Sequence, residues 1–467
     1  MRRLPGAALA AATTALLLAL TACAGAGAGV GGEEPWISAP EVFYLRPQGD
    51  KSGPHDKEPF HLQAEDTKAP TRNGQRDHRL TADVRGSEDV IRLKTVGLRK
   101  SGARCTGDTV RVSCEVDGTY NNWEDLDRVL PVPAKGAESG DEGVVRFTYT
   151  TKDGGKLTAR TRVVVGEPVV EVRAIKPFKD VRPGAAITAP VVVRNNGEVP
   201  VEGLGLKLVD GELDFTRRYA NCRYPEPQRG HMAICRFPDL RIGPGETVVF
   251  RPAVRLRASE TTMYGSFGQD AWALDMGPGQ YGVAPEGGDR GDGPALEAER
   301  VDGADAKRTF VKGGARTDVT LDSHADYEIS DVDLKGAPGA ERKVRLTVRN
   351  NGPGDPGPAA ELVFSPPFGV TVLKQPMSAI DEDVYEPYCD SNGFAYTCDV
   401  RRLEPGDSRT FEFTLRLGEP GEGTATILDR DDTDRRDPDP ANDEATIRVR
   451  PWPTGRSGRS GRSGRSG

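Results

Sequence analysis

Six of the seven cysteines fall in three tight, well-separated pairs: Cys105 with Cys114, Cys222 with Cys235, and Cys389 with Cys398. An even set spaced in this way reads as a disulfide framework in an oxidising compartment. Six cysteines formally allow fifteen pairings, and the clustering selects the three local ones. Each would close a loop of about ten to fourteen residues, worth about 3 kcal/mol in the chain-entropy account. Crosslinks so local staple hairpins or strand-to-loop corners. Zinc would need four converging ligands, and the chain contains neither a C-x2-C nor an H-x3-H pair.

The cysteine pairs mark an internal repeat. Pro183-Gly184-Ala185 precedes Ala189-Pro190-Val191-Val192-Val193 and Arg194-Asn195-Asn196-Gly197; Pro338-Gly339-Ala340 precedes Val344-Arg345-Leu346-Thr347-Val348 and Arg349-Asn350-Asn351-Gly352. The offset is the same at both landmarks, 155 residues (183 to 338 and 195 to 350). Asn-Gly points to a tight turn with positive φ. Further on, Pro244-Gly245-Glu246 leads into Thr247–Leu256, and Pro405-Gly406-Asp407 into Ser408–Leu417. In the later copy Phe411, Phe413, Leu415 and Leu417 alternate with polar residues, as a strand with one buried face requires. Pro252 in the earlier copy removes a ladder donor, which predicts an edge position or a bulge.

The first segment keeps only the C-x8-C spacing, but it closes in a hairpin pattern. Val144–Thr150 and Leu157–Val165 flank the turn residues Asp153-Gly154-Gly155. No window after the N-terminal leader shows a sustained helical stripe, whereas period-two alternation recurs. The length of 467 residues suggests about three domains. Short strands punctuated by Gly and Pro turns, with one disulfide each, predict antiparallel sandwiches. The expected modules are residues 39–166, 167–303 and 315–450, with a polar linker at 304–314.

The N-terminus supplies an address. Arg2-Arg3, an apolar run from Leu4 to Leu20 and small residues before Cys23 form a secretory signal too short to span a bilayer permanently. Leu20-Thr21-Ala22-Cys23 resembles a bacterial lipobox, which implies cleavage after residue 22 and lipid attachment at Cys23. Two acyl chains anchor stably where one is marginal. Cys23 is also the odd cysteine, left over once the three pairs are drawn. The Gly/Ala run up to Gly32 cannot pack a core, so residues 23–38 read as a tether. The expected location is the extracytoplasmic face of the cell membrane.

Modules two and three resemble bacterial surface repeats of the family known as domain of unknown function eleven. They also resemble bacterial cell-adhesion-related β-sandwich domains. The resemblance rests on Val348–Pro353, Cys389, Cys398, Leu403-Glu404-Pro405-Gly406-Asp407 and the closing run Asp437–Ala445. It implies an immunoglobulin-like fold and a surface role, and it supplies no catalytic residues. Module three matches well. Module two matches partly, its closing hairpin replaced by an irregular Gly-rich segment.

Enzymatic chemistry finds little support. His55, His61, His78, His231 and His324 sit in no H-E-x-x-H, and no serine sits in G-x-S-x-G. The net charge of −8 argues against a general nucleic-acid binder. The acidic run containing Asp429, Asp431, Asp432 and Asp434 is a candidate calcium site, since calcium takes six to eight oxygens. It lacks the EF-hand glycine and closing glutamate, and nearby arginines offset its charge, so a solvated turn is the favoured reading. Arg290-Gly291-Asp292 lies in a Gly-rich segment, where an exposed loop would offer an integrin-type tripeptide. The tail, 451–467, is low-complexity, and its regular arginines suit a salt-sensitive contact with anionic polymers.

Together these observations predict an all-β chain: three tandem immunoglobulin-like antiparallel β-sandwiches, each with one local disulfide, after a lipoprotein signal peptide. The expected role is structural or adhesive, toward a cell-wall polymer or envelope protein. The alternative is an extracytoplasmic ligand-binding lipoprotein, with calcium as its possible ion.

Overall fold

The computed structural model describes residues 34–47, 60–67, 77–96, 104–116, 118–121, 128–225, 231–276, 287–301, 309–358, 360–381, 384–430 and 434–450. Among the described residues, regular structure consists of β-strands and single-turn 3₁₀ helices at Leu274–Met276 and Pro440–Asp443. The chain divides into two compact units. One comprises Met1–Pro40, Asp56–Val132 and Val144–Thr161; the other comprises Glu41–His55, Pro133–Gly143 and Arg162–Gly467.

In the first unit, His78–Asp83 lies between Arg111–Val116 and the strand Glu142–Thr150, antiparallel to both. Cys105–Gly107 adds to the outer edge of Arg111–Val116. A second, three-stranded sheet joins Trp36–Ser38, Gln63–Glu65 and Thr119–Asn121. The strand Trp36–Ser38 therefore corrects the expected tether: three of its residues are hydrogen-bonded into a sheet. Period-two alternation buries Leu80, Ala82, Val145, Phe147 and Tyr149. The expected closing hairpin is present, its turn fixed by Thr151 N donating to Gly155 O at 2.9 Å.

The second unit contains both copies of the repeat. In module three, Tyr327–Ile329 pairs with Glu341–Asn350, which pairs with Ser408–Arg416, which pairs with Thr371–Lys374. The other sheet runs Val332–Lys335, Glu444–Arg450, Gly421–Asp429, Ala360–Ser365, Tyr396–Asp399, Cys389–Ser391. With Tyr327–Ile329 as A, Val332–Lys335 as A′, Glu341–Asn350 as B, Ala360–Ser365 as C, Thr371–Lys374 as D, Ser408–Arg416 as E, Gly421–Asp429 as F and Glu444–Arg450 as G, the order A-B-E-D against A′-G-F-C, extended beyond C by Tyr396–Asp399 and Cys389–Ser391, is that of an immunoglobulin-like sandwich. Val332–Lys335 runs parallel to the last strand. The core is aromatic at its centre: Phe364 and Phe413, both fully buried, stand 4.8 Å apart between ring centroids.

Module two repeats this order. Phe178–Val181 runs parallel to Gly314–Leu321, and Gly314–Leu321 pairs with Tyr264–Ala273. The last strand of the sandwich is thus Gly314–Leu321, which overturns two expectations. The closing hairpin is not replaced; its two strands are separated by an insertion that adds Asp289–Arg290 and Glu297–Val301 to sheet edges. And the change of module falls at Asp322–Asp326, not at 304–314. Phe310–Lys312 and Gly314–Leu321 hydrogen-bond into module two, pairing the second edges of Val170–Arg173 and Tyr264–Ala273, whose first edges pair with Val192–Asn195 and Val201–Gly211. Of the expected linker, residues 304–308 lie outside the described residues.

The prolines act as interruptions. Two opposed strands of module two each break in the middle, Ala186–Ala189 from Val192–Asn195 and Thr247–Arg251 from Val254–Ala258, at Pro190 and Pro252. Both halves of the later strand have partners on each side. Pro252 therefore marks a break in a central strand, with the missing donor placed where no ladder bond is needed.

The three disulfides join directly opposed residues of adjacent antiparallel strands, with Cα–Cα separations of 4.0, 3.9 and 4.2 Å. They staple one hairpin each and do not cross between sheets.

Candidate functional sites

The residues that the repeat singles out have a structural task different from a positive-φ turn. Asn195 and Asn350 are fully buried, and none of Asn195, Asn196, Gly197, Asn350, Asn351 or Gly352 has positive φ. Asn350 donates through Nδ2 to Gly354 O at 2.8 Å and Leu403 O at 3.0 Å. Its Oδ1 accepts from Gly352 N at 3.0 Å and Asp326 N at 3.4 Å. Asn195 does the same with Val199 O, Ile242 O, Gly197 N and Val169 N. One amide thus satisfies four backbone groups from three chain segments, using its full donor set and both acceptor lone pairs. The glycine is required for space: a Cβ on Gly197 would lie 2.2 Å from Glu167 O, and one on Gly352 2.5 Å from Asp326 N. The second asparagine holds the first strand's acid, Asn351 Nδ2 to Glu328 Oε2 at 2.7 Å and Asn196 Nδ2 to Glu171 Oε1 at 3.3 Å.

The acidic run resolves around a cation that sequence spacing did not single out. Arg435 is 4% exposed. It donates to Asp443 at 3.0 and 2.9 Å and to Asp429, and it lies 3.6 Å from Asp437. Its guanidinium also lies over the Tyr327 ring, 5.0 Å from the centroid. Burial pulls the guanidinium pKa down, but the bonds to Asp443 and Asp429 outweigh it and hold the group above its ordinary value. Burial likewise raises the Asp443 carboxyl. Asp434 accepts from Arg436 N at 2.7 Å. Asp429 and Asp434 are thus exposed and each engaged with a protein donor, Asp429 through an ion pair to the buried Arg435. Asp431 and Asp432 lie outside the described residues, as do Cys23 and the tail 451–467.

The histidines are dispersed. In the first unit His78 is buried, with Nε2 3.0 Å from Asp66 and Nδ1 2.8 Å from Asp77, and it stacks on Tyr149 at 5.7 Å. In module two, His231 Nδ1 lies 2.8 Å from Asp210 Oδ1, a carboxylate with no solvent exposure. Burial pushes the Asp210 carboxyl up to about 7 against the pull of His231, and the bond to Asp210 raises His231 in turn. Arg290-Gly291-Asp292 is folded against the module edge. Arg290 pairs with Arg223 in the ladder and donates to Ala220 O at 2.8 Å, and a Cβ on Gly291 would meet Tyr219 O at 2.1 Å. It does not form a projecting loop.

The joint between modules two and three is built from specific contacts. Met263 of module two is fully buried within the core of module three. Asp355 N donates to Thr261 O at 2.6 Å, and Met263 N donates to Asp355 O at 2.9 Å. The Asp355 carboxylate, without solvent exposure, accepts from Gly357 N at 2.8 Å and from Arg402 Nε. Arg402 also reaches Glu212 of module two at 3.1 Å. From the other side, Arg436 donates to Leu321 O at 2.7 Å and Tyr264 to Asp434 O. Module two is held at its other end by Tyr44, whose hydroxyl donates to Asp275 at 2.5 Å. Burial raises both groups.

No known family description matches the chain, and no characterised protein matches it. Solved structures similar to it include the titin I-band fragment I67-I69, at 10% identity over 90% of this chain and 98% of that one, with a TM-score of 0.16. A putative membrane-anchored protein from Corynebacterium diphtheriae is 8% identical over 90% and 92%, with a TM-score of 0.15. Fibronectin(III)-like modules of CbhA from Clostridium thermocellum are 9% identical over 62% and 95%, with a TM-score of 0.21. The strand order described above is what identifies the fold. Among the described residues, no helix is long and apolar enough to cross a membrane.

Proposed function

We propose that the chain is a lipid-anchored envelope protein whose β-sandwich modules serve a structural or adhesive role outside the cytoplasmic membrane. The observation that carries this reading is the joint at Met263, Asp355 and Arg402. A side chain from one module completes the core of the next, Asp355 exchanges two backbone hydrogen bonds across the seam with Thr261 and Met263, and Arg402, bonded to the buried Asp355 carboxylate, reaches across it to Glu212. Inter-domain contacts otherwise resemble transient interfaces and leave domains free to move. A joint of this kind suits a structural role in which modules two and three act as one unit. The address comes from the leader and Cys23, where diacylglyceryl attachment is the expected modification. The partner class is an anionic or proteinaceous component of the wall, met through sandwich ends and edges.

The test has two arms. Cells fed an alkyne-tagged fatty acid should label the wild-type protein and not Cys23→Ala, which should instead be released to the medium. The purified mature chain should then be retained by isolated envelope fractions. An unlabelled wild-type protein overturns the anchor, and no retention by any fraction overturns the adhesive role.

A further inference from the structure

Module two carries a basic row on one sheet face. Its strand Val254–Ala258 lies between Ala186–Ala189 and the edge strand Leu213–Phe215. Val254, Leu256 and Ala258 are buried, and the alternating Arg255 and Arg257 are exposed together on the opposite face. Residues two apart on one strand face stand about 7 Å apart. Thr188 and Thr216 flank Arg255, and Ala186 and Asp214 flank Arg257. Arg217, also exposed, follows the edge strand. Burial raises the Tyr219 hydroxyl pKa, while the Arg255 backbone and the charges of Arg217 and Arg255 pull against it, so both guanidiniums lie near one ring. None of Arg217, Arg255 and Arg257 has an ion-pair partner among the described residues.

The repeat makes this row specific to module two. In module three the matching face is neutralised. Glu341 stands opposite Arg416 and pairs with it at 3.6 Å; Glu412, opposite Arg345, pairs with Lys343 at 2.6 Å and Arg345 at 2.9 Å. The repeat offsets put Ala186 in the place of Glu341 and Arg251 in the place of Glu412. Both acids are therefore missing. Arg251 finds Glu299 of the inserted strand, 3.5 Å away. Beyond Pro252-Ala253 the register shifts, and Arg257 comes to the place of Arg416, opposite Ala186. On its other side Arg257 faces Asp214, which makes no ion pair with it and whose charge acts on the Asp210–His231 pair. In a chain of net charge −8, guanidiniums left without counter-ions on one face favour an anionic partner.

The shape of the face narrows the anion. The arginines line an open sheet surface and not a pocket, so an extended polymer with a charge in each repeat engages them together. Guanidinium forks match phosphate geometry bidentately, and the exposed Thr188 hydroxyl adds a donor beside Arg255. Nucleic acid would call for aromatic platforms under its bases, whereas the row is flanked by Thr188, Thr216 and Ala186.

We propose that the Arg217/Arg255/Arg257 row of module two binds a phosphodiester-linked anionic polymer of the envelope. This rests on the adhesive reading above for the partner's location and supplies the partner's chemistry.

The test measures binding of the full mature chain to a synthetic poly(glycerol phosphate) decamer across a salt series. The Arg217→Gln, Arg255→Gln, Arg257→Gln variant should bind about tenfold more weakly. Its slope of log affinity against log salt should be shallower by about 2, as expected for three lost phosphate contacts. Its melting temperature should match the parent's, because the three side chains are exposed and make no ion pair. A matched variant, Lys343→Gln, Arg345→Gln, Arg416→Gln, removes the same charge from module three and should bind within about twofold of the parent, since those cations are already paired. Equal losses in the two variants overturn the proposal by tracing binding to net charge. Unchanged affinity in the first variant overturns it by placing the polymer elsewhere on the chain. Tighter binding of polygalacturonate, or of a single-stranded DNA decamer, overturns the assigned polymer class. A parent protein that envelope fractions retain but that ignores the decamer overturns this assignment and leaves the adhesive reading standing; that reading falls when no fraction retains the protein.

Discussion

Asn350 donates from Nδ2 to the carbonyl of Leu403, 3.0 Å away and just before the Pro405-Gly406 turn. This bond and its three companions tie the end of one strand, the turn ahead of another and the start of the module at one buried point. Asn350→Ala would leave two carbonyls and two amides without their partner in a site that excludes water. The expected loss is about 3–4 kcal/mol, several orphaned groups counting less than additively. Asn350→Asp should be at least as damaging, because an oxygen would then face Gly354 O and Leu403 O. Asn351→Ala, which removes only an exposed bond to Glu328, should cost about 0.5 kcal/mol. Urea unfolding of the three variants checks the ranking.

Arg435 sets the response to calcium. With its guanidinium bound to Asp429 and Asp443, a cation would have to displace a buried arginine to collect those oxygens. Millimolar calcium should therefore leave the melting temperature unchanged to within about 1 °C, as expected for a ligand with no native-state site. Arg435→Gln should destabilise the module by about 3 kcal/mol, since it leaves buried carboxylates without their counter-charge. A calcium-dependent rise in the wild-type protein would return the acidic run to the status of a metal site.

Much of the architecture was legible because it is local. Opposed cysteines on neighbouring strands are close in sequence, so Cys389 and Cys398 declare their pairing by spacing alone. Alternation at Phe411, Phe413 and Leu415 declares a buried face. What could not be read depends on depth and on long-range return of the chain. Asn-Gly in a sequence signals a turn, and nothing local distinguishes a turn residue from Asn195 buried under three segments. Arg435 lies among acids and reads as charge compensation on a solvated loop; only the fold carries it beneath Tyr327 with Asp443 beside it. The insertion in module two separates Tyr264–Ala273 from Gly314–Leu321, so their pairing was hidden and the module boundary was drawn too early.

The Asp210–His231 pair should make module two less stable as pH rises. Burial raises the Asp210 pKa to about 7, and the bond to Asp210 raises that of His231, so the folded state holds more protons than the unfolded one. Stability is then greatest below the ordinary carboxylate range and declines as pH climbs from about 4 through 7. The nearby Asp214 and Glu212 carboxylates favour the protonated imidazole and work in the same direction. Asp210→Asn preserves an acceptor for Phe215 N and removes the titration. Its unfolding free energy should vary less with pH than that of the parent, by on the order of 1–3 kcal/mol between pH 4 and 8. A parent protein that gains stability over this range would refute the assignment.

Arg402 separates the buried from the exposed half of the joint. It bonds Asp355, a carboxylate with no solvent exposure, and Glu212, whose side chain is 54% exposed. Glu212→Ala removes a solvent-screened pair and should change stability by less than about 0.5 kcal/mol. Arg402→Ala strands the Asp355 charge beneath the seam and should cost about 1–3 kcal/mol, the half-exposed arginine limiting the full buried-pair penalty. The loss should be specific to the seam. Amides of Met263 and Asp355, which form the crossing backbone bonds, should exchange faster in Arg402→Ala, while those of Val344–Val348 in the module three core keep their protection. Uniform loss of protection across module three would show that Arg402 supports the module itself and not its attachment to module two.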